Sequence, residues 1–191
     1  LQSYFMNRVM TWLEAQGRHA IGWDEILNAD LLKSATIMGW RGTSGAEAAA
    51  KIGHDVILSP LTHCYFDYTQ TDDEAAAPYE PLHASVMPIT VEKVYSFDLP
   101  IAMTEADRKH VLGVQANLWS EYLYAPGVVE YHALPRMSAL AEVQWSNTED
   151  KSYEDFLKRM LVMRKIYDRY GWQYGKHIFR DPGTKIDRWN H

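Results

Sequence analysis

Lys109-His110-Val111-Leu112-Gly113-Val114-Gln115-Ala116-Asn117-Leu118-Trp119-Ser120-Glu121-Tyr122 is the stretch from which the fold of this chain is read. Val111, Leu112, Val114 and Leu118 make a mostly apolar run broken by small and amide residues, the pattern of a strand covered on both faces. The run ends in chemistry. Trp119 and Glu121 lie two apart, so on extended backbone their side chains project to the same side. An aromatic plane beside a carboxylate suits a sugar, with its apolar C–H face and its rim of hydroxyls. The same spacing also suits a core Trp beside a solvated Glu.

Length and composition bound the rest. With 191 residues the chain can build one domain around a sizeable core. Aromatic residues reach 13%, with seven Trp and twelve Tyr, which favours an aromatic-lined ligand site. The formal net charge is -6 with the two signs interspersed, so nucleic acid is not an expected partner. No apolar run reaches the roughly 20 residues of a membrane span. The chain opens at Leu1 in what reads as mid-helix, so its compartment stays open. Cys64 is the single cysteine, which excludes an intrachain disulfide and a multi-cysteine zinc site and reads as a small buried hydrophobe. The eight His residues are scattered, without a helical i, i+4 pair, and neither a metal nor a cofactor is expected.

Taken in order, Phe5, Val9, Trp12 and Leu13 predict an amphipathic helix over residues 1–18, stopped by Gly17. His19 to Glu25 reads as a buried strand ending in Trp23-Asp24-Glu25. Leu31 to Ser34 reads as a short helix, followed by the strand Ala35 to Trp40. Ala46 to Ile52 is a helix with Ser44 or Thr43 as N-cap, leading into the strand Asp55 to Ser59. The loop Thr62 to Tyr68 is too aromatic for a plain connector. Residues 69–109 are the least regular, with Asp72-Asp73-Glu74, an Ala run and several prolines around one short helix, Val91 to Phe97 capped by Thr90. After the opening strand come a helix from about Leu134 to Trp145 and a last helix started at Ser152, with the stripe Phe156, Met160, Met163 and Tyr167. The expected division is a partial barrel over residues 1–170 and an irregular tail over residues 171–191 packed on it.

Strands alternating with helices, each strand apolar throughout, imply an α/β fold with a parallel sheet and right-handed crossovers. Sites in such folds sit at the carboxyl ends of the strands. Those ends carry Trp23-Asp24-Glu25, Trp40-Arg41, the loop with Tyr65, and Trp119-Ser120-Glu121. The four βα units make half of a (β/α)8 TIM barrel, and the indoles and the phenol are expected to converge at one rim.

Five segments now resemble the family 20 glycoside hydrolases, the β-N-acetylhexosaminidases. They are Gly22-Trp23-Asp24-Glu25, Met38-Gly39-Trp40-Arg41-Gly42, Tyr65-Phe66-Asp67, Ala116-Asn117-Leu118-Trp119-Ser120-Glu121-Tyr122 and Leu134-Pro135-Arg136-Met137-Ser138-Ala139-Leu140-Ala141-Glu142-Val143-Gln144-Trp145-Ser146. They stand in the family's order and cover the carboxyl half of its barrel. The resemblance implies an exo-acting enzyme that removes terminal N-acetylglucosamine or N-acetylgalactosamine with retention, the substrate's own acetamido oxygen attacking the anomeric carbon. It implies that Trp23, Trp40 and Trp119 box the acetamido group and exclude water. Tyr65 then donates to the acetamido oxygen as the catalytic residue of this chain, while Asp67 and Glu121 bind the O4 and O6 hydroxyls.

The chain departs from the family in two respects, one of them the absence of the family's substrate-binding Arg from the first strand. The acid and orienting pair of the family sits in a His-x-Gly-Gly-Asp-Glu motif, and these 191 residues contain none. Asp24-Glu25 is an adjacent acidic pair, but it matches a later family strand on which Trp is the functional member. Its two carboxylates are expected either to replace the missing pair or to turn into hydrogen bonds at the start of the loop. The chain alone is therefore expected to bind part of an N-acetylhexosamine-terminated glycan without cleaving it. Open sheet edges favour a homo-dimer of half-barrels or aggregation. A periplasmic, surface or secreted parent is expected by resemblance. A non-catalytic carbohydrate-binding half-barrel is the second reading. A nucleotide-binding domain is disfavoured, because Gly42-Thr43-Ser44-Gly45 lacks the spacing and the Lys of a phosphate loop.

Overall fold

The computed structural model describes residues 1–28, 30–71 and 87–180. The acidic, Ala-rich stretch with Asp72, Asp73, Glu74, Pro78 and Pro81 lies outside the described residues, as does the tail from residue 181. The chain divides into two compact units, Leu1–Thr62 with Leu99–Gln115, and His63–Asp98 with Ala116–His191.

The first unit holds the sheet. After helix α1 (Gln2–Ala15) come β1 (Ile21–Trp23), β2 (Thr36–Gly39), helix α2 (Ser44–Lys51) and β3 (Val56–Leu58); the short helix α5 (Glu105–Arg108) then leads into β4 (Val111–Val114). All neighbouring strands pair in parallel, in the order β1-β2-β3-β4. Ile37, Val56 and Leu58 are fully buried on the face that Ala46, Ala49 and Ala50 of α2 cover. Ile37, Val56 and Leu58 each contribute about 2 kcal/mol by leaving water. The helix lies close because Gly39 has no side chain: a Cβ there would meet the Cβ of Ala46 at 2.9 Å. The flanking strands are less covered, with Ile21 at 59% and Leu112 at 60% exposure.

Leu112 thus overturns the reading of the opening strand as covered on both faces, and β4 pairs with β3 alone among the described residues. Leu31 to Ser34 forms a turn in place of the expected helix, closed by Ala35 N–H donating to Leu32 O at 3.0 Å. A four-residue helix has too few internal bonds to persist without a packed face. Helix α1 forms where expected, but Phe5 and Trp12 of its stripe are more than half exposed, and Met10 is its buried residue.

The second unit is helical. It contains α4 (Val91–Tyr95), α6 (Pro126–Ala133), α7 (Arg136–Trp145) and α8 (Tyr153–Tyr170); the short helix α3 (Leu61–Cys64) runs into it. Thr90 Oγ1 accepts the Lys93 N–H at 3.0 Å and Ser152 Oγ the Asp155 N–H at 3.3 Å, so these two expected caps form, whereas Thr43 at the start of α2 accepts no backbone N–H and donates its hydroxyl to Glu47 at 2.7 Å. Phe156, Met160 and Tyr167 are the buried stripe of α8. Tyr95 stacks near Phe156 at 4.9 Å and donates its hydroxyl to Glu142 at 2.7 Å, tying α4 to α7 and α8. Beyond α8, Gln173 N–H donates to Glu130 and Gly175 N–H to Leu134 O, both at 2.9 Å, so the first part of the tail lies on α6.

Three α-helices among the described residues escaped the sequence reading. Helix α5 begins with a capping box in which Thr104 and Asp107 satisfy each other's backbone N–H groups. Helix α6 starts on Pro126 and buries Val128, Tyr131 and His132, a stripe interrupted by a His. Helix α3 occupies the start of the aromatic loop. The helix expected from Leu134 begins at Arg136, because Leu134 keeps extended backbone with ψ near 134°.

Candidate functional site

In the first unit the ends of β1 and β2 interlock. The chain leaves Trp23 in a 3-10 turn, Asp24–Ile26, which throws two carboxylates toward the neighbouring strand end. Asp24 is buried, and its Oδ1 accepts from Arg41 Nε at 2.8 Å and from the terminal guanidinium nitrogen at 2.7 Å. Its Oδ2 faces the Trp40 backbone N–H at 3.4 Å. Glu25 is exposed and accepts the Trp40 indole N–H at 2.9 Å. The Arg41 guanidinium carbon lies 6.0 Å from the Trp40 ring centre. Trp23 and Trp40 are both half-buried.

In the second unit Tyr65 pairs with Asn117 as a parallel bridge beyond the sheet. Asn117 N–H donates to Cys64 O at 2.7 Å and Phe66 N–H to Asn117 O at 2.8 Å. The bridge sets the Tyr65 ring 6.3 Å from Trp119 and 5.7 Å from Tyr68, tilted in both cases. Tyr65 is 9% exposed and Asp67 7%, whereas Trp119 is 45% exposed. Burial and then the Asp67 carboxylate hold the Tyr68 phenol above its ordinary range, so Asp67 acts on this aromatic group as a negative charge.

The extended run expected from Trp119 to Glu121 is replaced by a turn at Ser120 and Glu121, with Leu123 N–H donating to Ser120 O at 3.3 Å. Glu121 is exposed and accepts the Tyr122 hydroxyl at 3.2 Å. That hydrogen bond adds to desolvation in raising the Tyr122 phenol. A strand holds its pleat only while it has a partner, and the pairing stops at Asn117.

Arg136 underlies the loop that carries Tyr65 and Asp67. It is fully buried, and its guanidinium donates to Tyr68 O at 2.9 Å, Ile89 O at 3.1 Å and His132 O at 2.7 Å, and also to Phe66 O. Its carbon lies 4.8 Å from the Phe66 ring centre. A second nitrogen meets the same carbonyl, with His132 Nδ1 at 2.8 Å from Phe66 O. The sequence offered a hint of this: Arg136 is the one charged residue between Leu134 and Ala141.

Beside the loop, burial pushes the Cys64 thiol up to about 12, so it stays protonated and serves as the small hydrophobe expected. Burial, and next the Lys93 charge, push the neighbouring His63 down to about 4, and its ring meets Phe97 edge-on at 5.4 Å. Among the described residues no group of three or more His, Cys, Asp or Glu is arranged to hold a metal ion, and no helix is long and apolar enough to cross a membrane.

Four parallel strands with helices, and aromatic and acidic groups just past the strand ends, define a partial TIM barrel of the glycosidase kind. The chain belongs to glycosyl hydrolase family 20, whose catalytic-domain model matches residues 1–148. A β-hexosaminidase of Porphyromonas gingivalis is 38% identical over 193 positions, which cover 98% of this chain and 24% of that protein. One of Vibrio vulnificus is 27% identical over all of this chain and 25% of its own length. Among solved structures, the exo-β-N-acetylglucosaminidase of Vibrio harveyi in complex with N-acetylglucosamine superimposes with a TM-score of 0.80 at 27% identity, over 99% of this chain and 28% of that one. The Streptomyces coelicolor β-N-acetylhexosaminidase gives 0.78 at 26% identity, over 95% and 36%. The chain spans about a quarter of the length of the first two relatives.

Proposed function

We propose that this chain is part of an exo-β-N-acetylhexosaminidase that hydrolyses terminal N-acetylglucosamine or N-acetylgalactosamine with retention. The observation that carries the reading is Tyr65, buried on a loop pinned by Arg136 and set beside Trp119, in a chain of family 20. The acetamido oxygen of the substrate attacks the anomeric carbon, the glycosidic bond breaks, and the leaving oxygen takes a proton from an acid. Tyr65 donates its hydroxyl to the acetamido oxygen and steadies the charge that develops there. Trp23, Trp40 and Trp119 form apolar walls for the acetamido group, which exclude water and hold the near-attack geometry. Asp67 and Glu121 accept from the hydroxyls at the non-reducing end of the sugar.

The 191 residues contain no His-x-Gly-Gly-Asp-Glu motif, and Asp24 is engaged by Arg41 while Glu25 is engaged by Trp40. We therefore assign the acid to residues outside this sequence, and the isolated chain is inactive on glycosides. Exposed Ile21 and Leu112 at the flanking strands support pairing of two copies in solution. The second reading, a non-catalytic carbohydrate-binding half-barrel, is favoured only by the missing acid motif. Assay of the full-length protein on a chromogenic N-acetyl-β-glucosaminide separates the two. Turnover by the full-length protein, with none by the 191-residue chain, supports the enzyme, and sugar binding without turnover by either supports the binding module.

A further inference from the structure

We infer that Glu25 is a positioning residue for Trp40, setting the angle of the indole plane through its N–H, with Asp24 fixing the backbone beneath. The inference rests on the proposed role of Trp40 as a wall of the acetamido pocket. Four observations carry it. The Glu25 carboxylate accepts the Trp40 indole N–H at 2.9 Å, an interaction that fixes the ring about its own long axis. Asp24 binds the side chain of the next residue, Arg41, through two nitrogens and faces the Trp40 backbone N–H, so the whole Trp40-Arg41 dipeptide is held from one neighbouring turn. The register that makes this reach available is set by the sheet, in which Trp23 pairs with Met38, placing Asp24-Glu25 one step beyond β1 and Trp40-Arg41 just past β2. The fourth is Gly45 at the start of α2, where a Cβ would stand 3.0 Å from Asp24 Oδ2 and 3.1 Å from its Cβ; only a residue without a side chain lets the helix close over the carboxylate.

The exposure of Glu25 decides what kind of role this is. A hydrogen bond between two partly solvated groups adds little to folding, since water competes for both partners. An indole left to swing on its side-chain torsions sits in more than one well, and displacement of a wall by about 1 Å costs up to about 100-fold in rate. The adjacent acidic pair thus acts through Trp40-Arg41 and gives no proton to the leaving oxygen.

Two variants test it. Glu25→Gln keeps an oxygen that accepts the indole N–H, and Glu25→Leu removes it at an exposed position that tolerates the change. In the 15N-labelled 191-residue chain, the Trp40 indole signal, assigned by its loss in Trp40→Phe, is expected to move upfield in Glu25→Leu and to hold its place in Glu25→Gln. In the full-length protein assayed on a chromogenic N-acetyl-β-glucosaminide, Glu25→Leu is expected to lower kcat about tenfold while KM changes less than about threefold, with Glu25→Gln close to the parent. An indole signal unmoved by Glu25→Leu, or Gln and Leu variants that fail alike, overturns the inference. Absence of turnover in the parent itself breaks the hydrolase reading instead, and the indole signal still decides the role of Glu25.

Discussion

Two arginines hold the loops of this molecule in opposite ways. Arg41, in the sheet-bearing unit, is 55% exposed at its side chain and pairs with the buried Asp24 carboxylate. Arg136, in the helical unit, is fully buried and spends its hydrogen bonds on backbone carbonyls of Phe66, Tyr68, Ile89 and His132. Water can take over from Asp24 at the outer side of Arg41, whereas the fully buried Arg136 guanidinium serves four carbonyls out of reach of bulk solvent. The first arrangement orients a side chain; the second makes the loop exist at all. Anchors of the two kinds therefore fail differently when cut, one in rate and the other in stability.

The largest effect is expected at Arg136. Arg136→Met takes the guanidinium donors from those buried carbonyls and is expected to cost about 4 kcal/mol. At this chain length that lowers the melting temperature by about 10 °C, read by circular dichroism. A drop of only a degree or two would erase the contrast between the two arginines. Tyr65→Phe keeps the ring and its contact with Trp119 and removes the hydroxyl. It is expected to lower kcat of the full-length protein about 100-fold or more with an unchanged melting temperature. Unaltered turnover would strip Tyr65 of its proposed role while leaving the loop anchor intact.

A smaller change is expected at Glu121, which stands exposed on a turn without a comparable buried anchor. Glu121→Gln is expected to raise KM about tenfold with kcat little affected, the cost of weakening a charged hydrogen bond to a hydroxyl. Equal KM values would return Glu121 to the role of a solvated surface acid. The smallest effect concerns His63. Its folded value of about 4 lies below the ordinary 6.5, so the unfolded chain takes up the proton first. The stability it lends is complete above about pH 6.5 and drains away as pH falls toward 4. Urea midpoints at pH 7 and pH 5 measure it, and His63→Gln is expected to flatten the difference.

The strands were legible because short apolar runs between turn residues leave few other choices, and Ile37, Val56 and Leu58 occupy the core as their pattern requires. Helices α5 and α6 were less so. The signals existed, Thr104 with Asp107 and Pro126 at a first turn, but each element is too short for periodicity to register. At the candidate site, Asp24-Glu25 was legible as an acidic pair at a strand end, and one of its two expected fates, loop-start hydrogen bonds, is what the geometry gives. The partner of Glu25 was not, since Trp40 lies 15 residues away on the next strand and only the sheet register brings the two together. Arg136 stood in plain view within a quoted motif, yet its carbonyl partners on Phe66, Tyr68 and Ile89 are 47 to 70 residues distant in the chain, and backbone groups leave no mark in a sequence.

Cys64 has a use that follows from its isolation. As the single sulfhydryl of the chain, fully enclosed and kept protonated, it is silent toward alkylating reagents while the protein is closed. Each labelling event therefore records a moment at which the surroundings of the Tyr65 loop have come apart, and the chain carries its own clock for that opening without any engineered probe.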